Sequence, residues 1–517
     1  MRNVTTTWGR RFVVSAATLG FVLVPLGVAV SSAGAAARSP GEWPYANGNL
    51  SNTRDAVGST ITASNVSSLT RAWSFDLEGK ATDDVGGYGT LAAAPIVVNG
   101  TVYMQDLHSN VYALSLATGK LEWRYVINKK EKSGPGPNGV AVVDGTVYGA
   151  TPKTVFALNA ATGQVIWSND SLLNKGQGTF GIQPQVANGR VYLASQYGLL
   201  PGGGVLLALN AATGTLIWRF KTVPTSDAGV ESLGAGAGGA WETPLVSPDG
   251  SVTFGIGNPY QSLASALSHP EKLLYTDSDV NLNAATGTLR WYFQGVSNDF
   301  KDYDLQASPI AARANGVPVV IGGGKMGVVY EMNAVTGKLL WKTPVGVHNG
   351  HDNNSLNALK GRSTLKVPFT YEPGALGGVL TNMAVAGNSV YVATCNLPFA
   401  FTNTDQVNGT PTSKKVSGDV EALNLTTGKV QWRTTVKGLP LGAATVSNNL
   451  VFTTLLNGKL LALNRLTGTV VYETSLPRST NSPISVAGNT VIVPVGGPKY
   501  GSLNGKAQII AFRIPTP

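Results

Sequence analysis

Cysteine is almost absent from this sequence, because Cys395 is the single one among 517 residues. One cysteine excludes an intramolecular disulfide, a Cys-x-x-Cys metal site and the attachment motif of a c-type haem. Charged residues make up only 13% of the chain, and no basic run interleaves with aromatic residues. We therefore expect no nucleic-acid partner, although the formal net charge is +10.

Glycine and proline are frequent, with 63 and 28 residues, and long helical stretches are few. This composition, together with many β-branched residues, predicts an all-β protein. Seven times, a Thr-Gly pair is followed by an aromatic residue four positions after the glycine. The seven pairs are Gly119 with Trp123, Gly163 with Trp167, Gly214 with Trp218, Gly287 with Trp291, Gly337 with Trp341, Gly428 with Trp432, and Gly468 with Tyr472.

Each copy follows an alternating strand pattern such as Val155–Asn159, so the unit is a strand, a tight turn and a second strand. Glycine takes the positive φ that the turn needs, and the aromatic residue can pack against the neighbouring unit. Consecutive aromatic residues lie 40 to 91 residues apart. The short steps suit one four-stranded blade of a β-propeller, and the long steps predict blades with inserted loops.

The two ends of the chain supply the strands that the seven copies lack. Residues 69–75 have the pattern of an outer strand with no blade before it, and residues 508–514 that of an inner strand with no Thr-Gly-aromatic unit after it. If these two strands pair, they close an eight-bladed β-propeller and leave no open sheet edge. Without that pairing the count is seven. We therefore predict one propeller domain over residues 38–517.

Residues 1–37 have the pattern of an export signal. Arg2, Arg10 and Arg11 precede a long apolar run, which ends in small residues that suit cleavage. The Arg10-Arg11 pair leaves open whether export uses the general or the twin-arginine route. We expect a secreted protein without a stable membrane span after processing; an uncleaved membrane anchor is the alternative.

The segment 43–54, with Trp43 and Asn52-Thr53-Arg54, leads into Asn65-Val66 and Leu69. This order resembles the N-terminal segment of the pyrroloquinoline quinone (PQQ) dependent alcohol dehydrogenases, and the repeats look like the tryptophan-docking repeats of that family. The resemblance covers essentially all of residues 42–514. It implies the cofactor PQQ, a Ca²⁺ or lanthanide ion, an alcohol as substrate and a separate electron acceptor.

Four residues match positions at which that family contacts the quinone. Trp241 follows Gly238-Gly239-Ala240, where the family places a Trp flat under the tricyclic ring, and a planar ring stacks well on an aromatic face. Lys325, in Gly322–Tyr330, takes the position of a cation at the quinone carbonyls, and Thr381 and Asn382 are candidate polar contacts. The alternative for Trp241 is a core residue at a blade start.

The predicted metal ligands are Asn258, Asp302, Asp304 and Gln196. The segment Asp302-Tyr303-Asp304 resembles the family's Trp-Asp-Tyr-Asp motif, with Lys301 in place of its Trp, and Asp302 matches the catalytic base. Asp304 matches a carboxylate that is associated with lanthanide ions. Two carboxylates two residues apart on an extended chain point to the same side, where a cation would relieve their repulsion. A turn-forming Asn258 and solvated loop acids are the alternatives.

Three positions depart from the family. An expected acid is absent near Ala93, Asn138 stands in place of an Arg, and Gln196 in place of a ligand Glu. The segment 304–309 and the missing vicinal cysteine pair look more like the polyvinyl-alcohol-oxidising branch than like methanol dehydrogenases. Three hypotheses follow: an enzyme that oxidises an alcohol, including a polymeric one; a non-catalytic extracellular interaction propeller; and a propeller with another cofactor or a sugar-binding role.

Overall fold

A computed structural model describes most of the chain. The described residues are 41–127, 136–196, 203–224, 237–269, 272–354, 365–412, 416–498 and 505–515. The predicted export segment, residues 1–37, lies outside them, whereas Pro40–Pro517 form one compact unit.

Helices are a minor part of the described residues. They comprise the α-helix α1, Leu263–Ser268, and the 3₁₀-helices Val66–Ser68 and Gly79–Thr82. None of the helices in these ranges is long and apolar enough to span a bilayer. The prediction of an all-β chain is confirmed.

Most strands of the described residues belong to eight antiparallel sheets, each built on four strands. The first strand, β1, covers Thr70–Asp76 and belongs to the last sheet. Sheet 1 has β2 Ile96–Val98, β3 Thr101–Gln105, β4 Val111–Ser115 and β5 Leu121–Tyr125. Sheet 2 has β6 Ala141–Val143, β7 Thr146–Ala150, β8 Val155–Asn159 and β9 Val165–Asn169. Sheet 3 has β11 Gln185–Ala187, β12 Arg190–Gln196, β13 Val205–Asn210 and β14 Leu216–Lys221, with β10 Thr179–Phe180 added at the end of β12.

The later sheets repeat this order. Sheet 4 has β15 Leu245–Val246, β16 Ser251–Gly255, β17 Ser278–Asn283 and β18 Leu289–Gln294. Sheet 5 has β19 Ile310–Ala314, β20 Val317–Gly324, β21 Val328–Asn333 and β22 Leu339–Pro344. Sheet 6 has β24 Ala384–Ala386, β25 Ser389–Asn396, β28 Ser417–Asn424 and β29 Val430–Val436. Sheet 7 has β30 Thr445–Ser447, β31 Leu450–Leu455, β32 Lys459–Asn464 and β33 Val470–Ser475.

Sheet 8 joins the two ends of the described chain. It contains β34 Ser485–Ala487, β35 Thr490–Val495 and β36 Gln508–Arg513, and β1 completes it. Strands β1 and β36 are antiparallel, in a register that runs from Thr70 opposite Arg513 to Asp76 opposite Gln508. The predicted pairing of the terminal strands is confirmed, whereas the number of eight blades stays a prediction.

An aromatic side chain on the outermost strand ties each sheet to the next. The Trp73 indole donates to the carbonyl of Leu116 at 2.9 Å, and a Cβ added to Gly119 would lie 2.6 Å from the Trp73 ring. The same indole-to-carbonyl bond joins Trp123 to Ala160, Trp167 to Ala211, Trp218 to Ala284, Trp291 to Ala334, Trp341 to Leu425, and Trp432 to Arg465. The Tyr472 hydroxyl donates to the carbonyl of Leu69 at 3.1 Å, which returns the series to the first strand.

The first strands of consecutive sheets lie side by side, with β2 between β34 and β6. These strands are short and mostly buried, whereas outer strands such as β22 alternate between partly buried and exposed residues. Loops that precede the first strands therefore meet near a common axis. Trp241, Asp302 and Asn382 all lie in such loops.

A ninth, three-stranded sheet comes from insertions around sheet 6. Its strands are β23 Phe369–Tyr371, β26 Phe399–Phe401 and β27 Thr410–Pro411. The rings of Tyr371 and Phe401 stack with centroids 5.4 Å apart, and the Tyr371 hydroxyl lies 3.3 Å from the carbonyl oxygen of Lys301. The inserted sheet therefore packs on the segment that carries Asp302.

Candidate active site

Asp302 and Asp304 lie in the loop between sheets 4 and 5, and both are buried. Asp302 is 6% exposed and Asp304 is 0% exposed, so the alternative that they are solvated loop acids is wrong. Asp302 has a φ of 65°, a left-handed conformation, so the reason given for their shared direction, an extended chain, is also wrong. The two side chains converge nevertheless, because they share one partner.

That partner is Lys325, which lies in the turn after β20. Its ammonium group is 2.9 Å from Asp302 Oδ2 and 2.5 Å from Asp304 Oδ2. Burial raises the pKa of Asp302 well above its usual range, although the Lys325 charge opposes that shift. Burial alone would lower the pKa of Lys325, but the carboxylates of Asp302 and Asp304 raise it well above its usual value. The lysine thus supplies a cation between the two acids.

Asn258 lies at the same point, in the loop after β16. Its backbone N–H donates to Asp304 Oδ1 at 2.8 Å, and its side-chain amide donates to Asp302 Oδ1. Its own amide oxygen accepts the N–H of Tyr260 at 3.0 Å. Three of the four predicted metal ligands, Asn258, Asp302 and Asp304, are therefore in direct contact.

The described contacts of Gln196 do not include Asn258, Asp302 or Asp304. Its carboxamide lies against the backbone of Gly181 and Gly136, where added Cβ atoms would be within 2.1 and 2.8 Å of it. Among the described ranges, no group of three or more His, Cys, Asp or Glu side chains is arranged to hold a metal ion. The donor set here consists of two carboxylates and one amide.

Trp241 links this cluster to a cavity. A Cβ added to Gly257 would lie 2.8 Å both from the far edge of the Trp241 ring and from Asp304 Oδ1. Trp241 is one wall of a cavity of about 340 Å³, which Thr381 and Asn382 also line. Six leucines line the same cavity: Leu376, Leu380, Leu397, Leu439, Leu441 and Leu456. Two of the predicted cofactor contacts, Thr381 and Asn382, thus share a cavity with Trp241, whereas Lys325 lies in the carboxylate cluster.

A buried polar network, which sequence reasoning missed, lies beside this cavity. Asn382 donates to Glu242 Oε2 at 3.0 Å and to Asn47 Oδ1 at 3.2 Å. Arg54, which is fully buried, donates to the same Asn47 oxygen at 3.0 Å. Burial raises the pKa of Glu242 to about 7, while Asn382 and the charge of Arg54 oppose the shift. The Trp241-Glu242 dipeptide was the available signal, since Glu242 directly follows a predicted cofactor contact.

Asn408 is a second residue that sequence reasoning missed. It lies between β26 and β27 of the inserted sheet, and its side-chain amide donates to Asp302 Oδ2 at 3.4 Å. The Tyr371 hydroxyl donates to the Asn408 carbonyl at 2.7 Å, which holds the turn in place. No local sequence pattern marks Asn408, because Asp302 is 106 residues away.

Lys301, the predicted departure from the family's Trp, is fully buried beside the acids. Its ammonium group donates to the carbonyl of His351 at 2.6 Å and lies 4.4 Å from the centroid of the Tyr303 ring. Burial lowers the pKa of Lys301 to about 8, and the Asp299 charge opposes the shift. Lys301 therefore links the segment to the loop of His351 and lies over an aromatic ring.

The chain was also compared with known proteins. The family model described as "Glucose/ethanol/alcohol dehydrogenase, beta-propeller domain" matches residues 43–142 and 183–346, and the model "Outer membrane protein assembly factor BamB" matches residues 416–512. The alcohol dehydrogenase (quinone), dehydrogenase subunit, of Gluconobacter oxydans is 28% identical over 432 residues, which cover 71% of this chain and 55% of the relative.

Two solved structures show the same fold. A quinohemoprotein alcohol dehydrogenase, ADHIIG from Pseudomonas putida HK5, superposes with a TM-score of 0.77 at 22% identity over 93% of this chain and 82% of its own. A europium-containing methanol dehydrogenase has a TM-score of 0.75 at 19% identity over 92% of this chain and 98% of its own.

The chain spans about half the length of the first curated relatives that it matches, between 46% and 57% of them. The match to the first family model covers about half of this chain and includes Trp241, Asn258, Asp302 and Lys325. The chain belongs to the glucose/ethanol/alcohol dehydrogenase β-propeller family.

Proposed function

We propose that this chain is a quinoprotein that oxidises an alcohol with PQQ and a bound metal ion. One observation carries the proposal. The buried Asp302–Lys325–Asp304 cluster lies next to the edge of the Trp241 ring, which lines a cavity of about 340 Å³. A base, a cation and a stacking surface are thus adjacent, as oxidation of an alcohol at a planar cofactor requires.

Three residues would hold the metal ion: Asn258, Asp302 and Asp304. Carboxylate and amide oxygens are the hard donors that Ca²⁺ and lanthanide ions prefer. Asn258 contacts both carboxylates through its N–H groups, so its amide would have to turn to offer its oxygen to an ion. Lys325 lies between the two carboxylates, so an ion would share them with its ammonium group. Gln196 is not supported as a fourth ligand by its position against Gly136 and Gly181.

The cavity suits a planar cofactor. Its volume lies in the range of about 300–1,000 Å³ that is common for small-molecule sites. Trp241 supplies a large aromatic face, and Thr381 and Asn382 supply polar groups at the wall. When bound, the quinone supplies the two-electron acceptor and the cation supplies a Lewis acid.

Asp302 is the base that would take the proton of the substrate hydroxyl. Lys325 and the Asn258 amide both contact the Asp302 carboxylate and orient it for this role. Lys325 holds Asp302 in place and would stabilise negative charge that develops beside it. The inserted sheet covers this point through Asn408 and limits the access of water.

The substrate is proposed to be an alcohol, and a polymeric alcohol is the candidate that we favour. The names of the relatives support an alcohol, because several are quinone-dependent alcohol dehydrogenases. The resemblance of segment 304–309 to the polyvinyl-alcohol-oxidising branch favours the polymeric candidate. Comparing the rates for ethanol, for a long-chain alcohol and for polyvinyl alcohol tests this choice.

Electrons are proposed to leave to a separate acceptor. The relatives include an enzyme named lupanine 17-hydroxylase [cytochrome c], which supports a cytochrome as the acceptor. Activity with an artificial acceptor, and its increase when a soluble cytochrome c is added, tests this part.

Titration of PQQ into the purified protein, with and without Ca²⁺ or La³⁺, tests the function. Saturable quenching of tryptophan fluorescence that needs the metal supports it, and Asp302→Ala and Trp241→Ala are expected to abolish that quenching. Asp249→Asn is the matched control, because Asp249 pairs with Arg290 at 2.8 Å on the exposed side of sheet 4. No quenching by the wild-type protein under either metal contradicts the proposal.

A non-catalytic interaction propeller is the second candidate. The match of residues 416–512 to a family model of an outer-membrane assembly factor favours it. A protein that does not bind PQQ but retains specific partners from an envelope extract, and loses them when the outer loops of sheets 6 and 7 are changed, would support this function instead.

Export is a further part of the proposal. The residues that would direct it, 1–37, carry an arginine-containing start, an apolar run and small residues at the end. The N-terminal sequence of protein recovered from the culture medium tests it. A mature N-terminus directly after residue 35 or residue 37 is expected, and retention in the membrane would support the uncleaved anchor.

A further inference from the structure

Among the described residues, the charged lining of the cavity beside Trp241 is of one sign. Among the described residues that line it, Glu242 is the only carboxylic acid, and none is a lysine, arginine or histidine. The remaining lining is largely leucine, alanine, glycine and proline with a few neutral amides and hydroxyls. The quinone of the proposed function carries carboxylate groups, so the described lining offers it a possible negative neighbour and no positive one.

Arg54, whose charge acts on Glu242, is committed to other partners. Its Nε donates to the carbonyl of Ala444 at 2.8 Å, and its Nη1 donates to the carbonyl of Ala46 and to Asn47 Oδ1. Its Nη2 donates to Thr445 Oγ1 and to the carbonyl of Ile484, both at 2.7 Å. The five N–H groups of the guanidinium are thus used, and Arg54 acts on Glu242 through charge alone.

We propose that Glu242 sets the charge of this cavity, so that an anionic planar ligand binds when Glu242 is protonated and takes up one proton from solution at alkaline pH. The inference rests on the proposed function, because PQQ is the ligand considered. A protonated carboxyl can donate a hydrogen bond to a ligand oxygen, whereas an ionised one would repel a carboxylate across a low-dielectric wall. Glu242 is a binding residue in this scheme and takes no part in the chemistry.

The pH range in which Glu242 titrates supports this role. Burial raises the pKa of Glu242 to about 7, against the effects of the Asn382 amide and of Arg54. Glu242 is therefore mostly neutral in mildly acidic solution and mostly ionised in mildly alkaline solution. Arg54 is the charged group that faces it within the described part of the chain.

PQQ binding across a pH series tests the inference. The dissociation constant for PQQ, with saturating Ca²⁺, is measured by tryptophan quenching between about pH 5.5 and about pH 8.5 for wild type, Glu242→Gln and Glu331→Gln. Glu331 is the matched control, because burial raises its pKa to about 7 as well, and it lies in β21 away from the cavity.

The ratio of the wild-type to the Glu242→Gln dissociation constant isolates this residue, since titration of the ligand and of the metal ligands affects both proteins. Above about pH 7 the ratio is expected to rise about tenfold per pH unit, as one linked proton requires. The ratio of the wild-type to the Glu331→Gln dissociation constant is expected to stay the same across the pH series. A constant ratio for Glu242→Gln would overturn the inference and leave the proposed function intact.

A measurement on the wild type keeps the test independent of the variant's folding. Calorimetric titration at about pH 8, in buffers with different ionisation enthalpies, is expected to show uptake of about one proton per PQQ bound. Binding without proton uptake would overturn the inference. No binding of PQQ by any of the three proteins at any pH would instead overturn the proposed function, and this inference with it.

Discussion

The sheets and the carboxylate cluster are built by different kinds of contact. In the sheets, each docking bond follows a pattern that recurs along the chain, such as the bond from Trp291 to the carbonyl of Ala334. In the cluster, Asp302 meets Lys325 and also Asn408, 106 residues away, through bonds that occur once. Loss of a docking contact is expected to lower the stability of the fold, whereas loss of a contact in the cluster is expected to lower activity. The expected effects of substitutions therefore differ between the two regions.

The largest effect should come from Asp302→Asn, which removes the proposed base and keeps the shape. The turnover of PQQ-loaded protein is expected to fall by about 10²–10⁴-fold, the usual contribution of a general base. The unfolding midpoint should change less than turnover, because asparagine keeps the shape and Asp304 remains as a partner of Lys325. Steady-state kinetics with an artificial acceptor, together with circular dichroism, checks both. Unchanged turnover would remove Asp302 from the chemistry.

Trp291→Ala should destabilise the packing between sheets without changing the carboxylate cluster. Trp291 is 6% exposed and packs on Gly337, where an added Cβ would lie 2.7 Å from its ring. The free energy of unfolding is expected to fall by about 3–5 kcal/mol, as for other buried aromatic residues that are cut to alanine. Denaturant titration measures it, and Trp291→Phe is the control, with a smaller loss. A loss below that of Trp291→Phe would contradict the docking role.

The sheets and the carboxylate cluster also differ in how much of them the sequence predicts. The Thr-Gly-aromatic repeat predicts the docking contacts and the pairing of the chain ends, because one residue pattern determines each contact. Trp241, Asn258 and Asp302 were placed through motifs that resemble a family, and their convergence follows from the loops that precede or connect the inner strands. Glu242 could not be placed, since no local pattern specifies its contact with Asn382, which is 140 residues away.

Asp302 and Gln196 show two further limits of prediction from the sequence. The side chains of Asp302 and Asp304 converge, but the positive φ of Asp302 is not encoded by residue type, since aspartate adopts it only when its surroundings require it. Gln196 matched a ligand position by alignment of short segments alone. In the folded chain its direction is set by the packing of Gly136 and Gly181 around it, which the sequence does not reveal.

Glu242→Gln should raise stability in a pH-dependent manner. The folded-state pKa of Glu242, about 7, lies above its usual value of 4.5, so the folded chain holds the extra proton between these values. The stability that Glu242 contributes is therefore complete at acid pH and is lost as pH rises to about 7. We expect Glu242→Gln to equal the wild type at about pH 4.5 and to gain about 2 kcal/mol at about pH 8. Thermal unfolding at both pH values checks this, and an equal gain at both would contradict it.

The smallest effect should come from Asn408→Ala, which removes one hydrogen bond to Asp302 from the inserted sheet. At 3.4 Å this bond is long, so kcat/KM is expected to fall by an amount equivalent to about 0.5–1.5 kcal/mol. Tyr371 still holds the turn through the Asn408 carbonyl, so stability should hardly change. A loss as large as that of Asp302→Asn would mean that Asn408 itself contacts the reacting groups.

The most direct test of the account is a single-turnover reduction. Protein loaded with PQQ and Ca²⁺ or La³⁺ is mixed with an alcohol without oxygen or acceptor, and the absorbance of the bound quinone is followed. The account predicts stoichiometric loss of the oxidised-quinone absorbance in wild type and a far slower loss in Asp302→Asn. Bound quinone that stays oxidised in the wild type with short, long-chain and polymeric alcohols alike would contradict the proposal that this propeller oxidises alcohols.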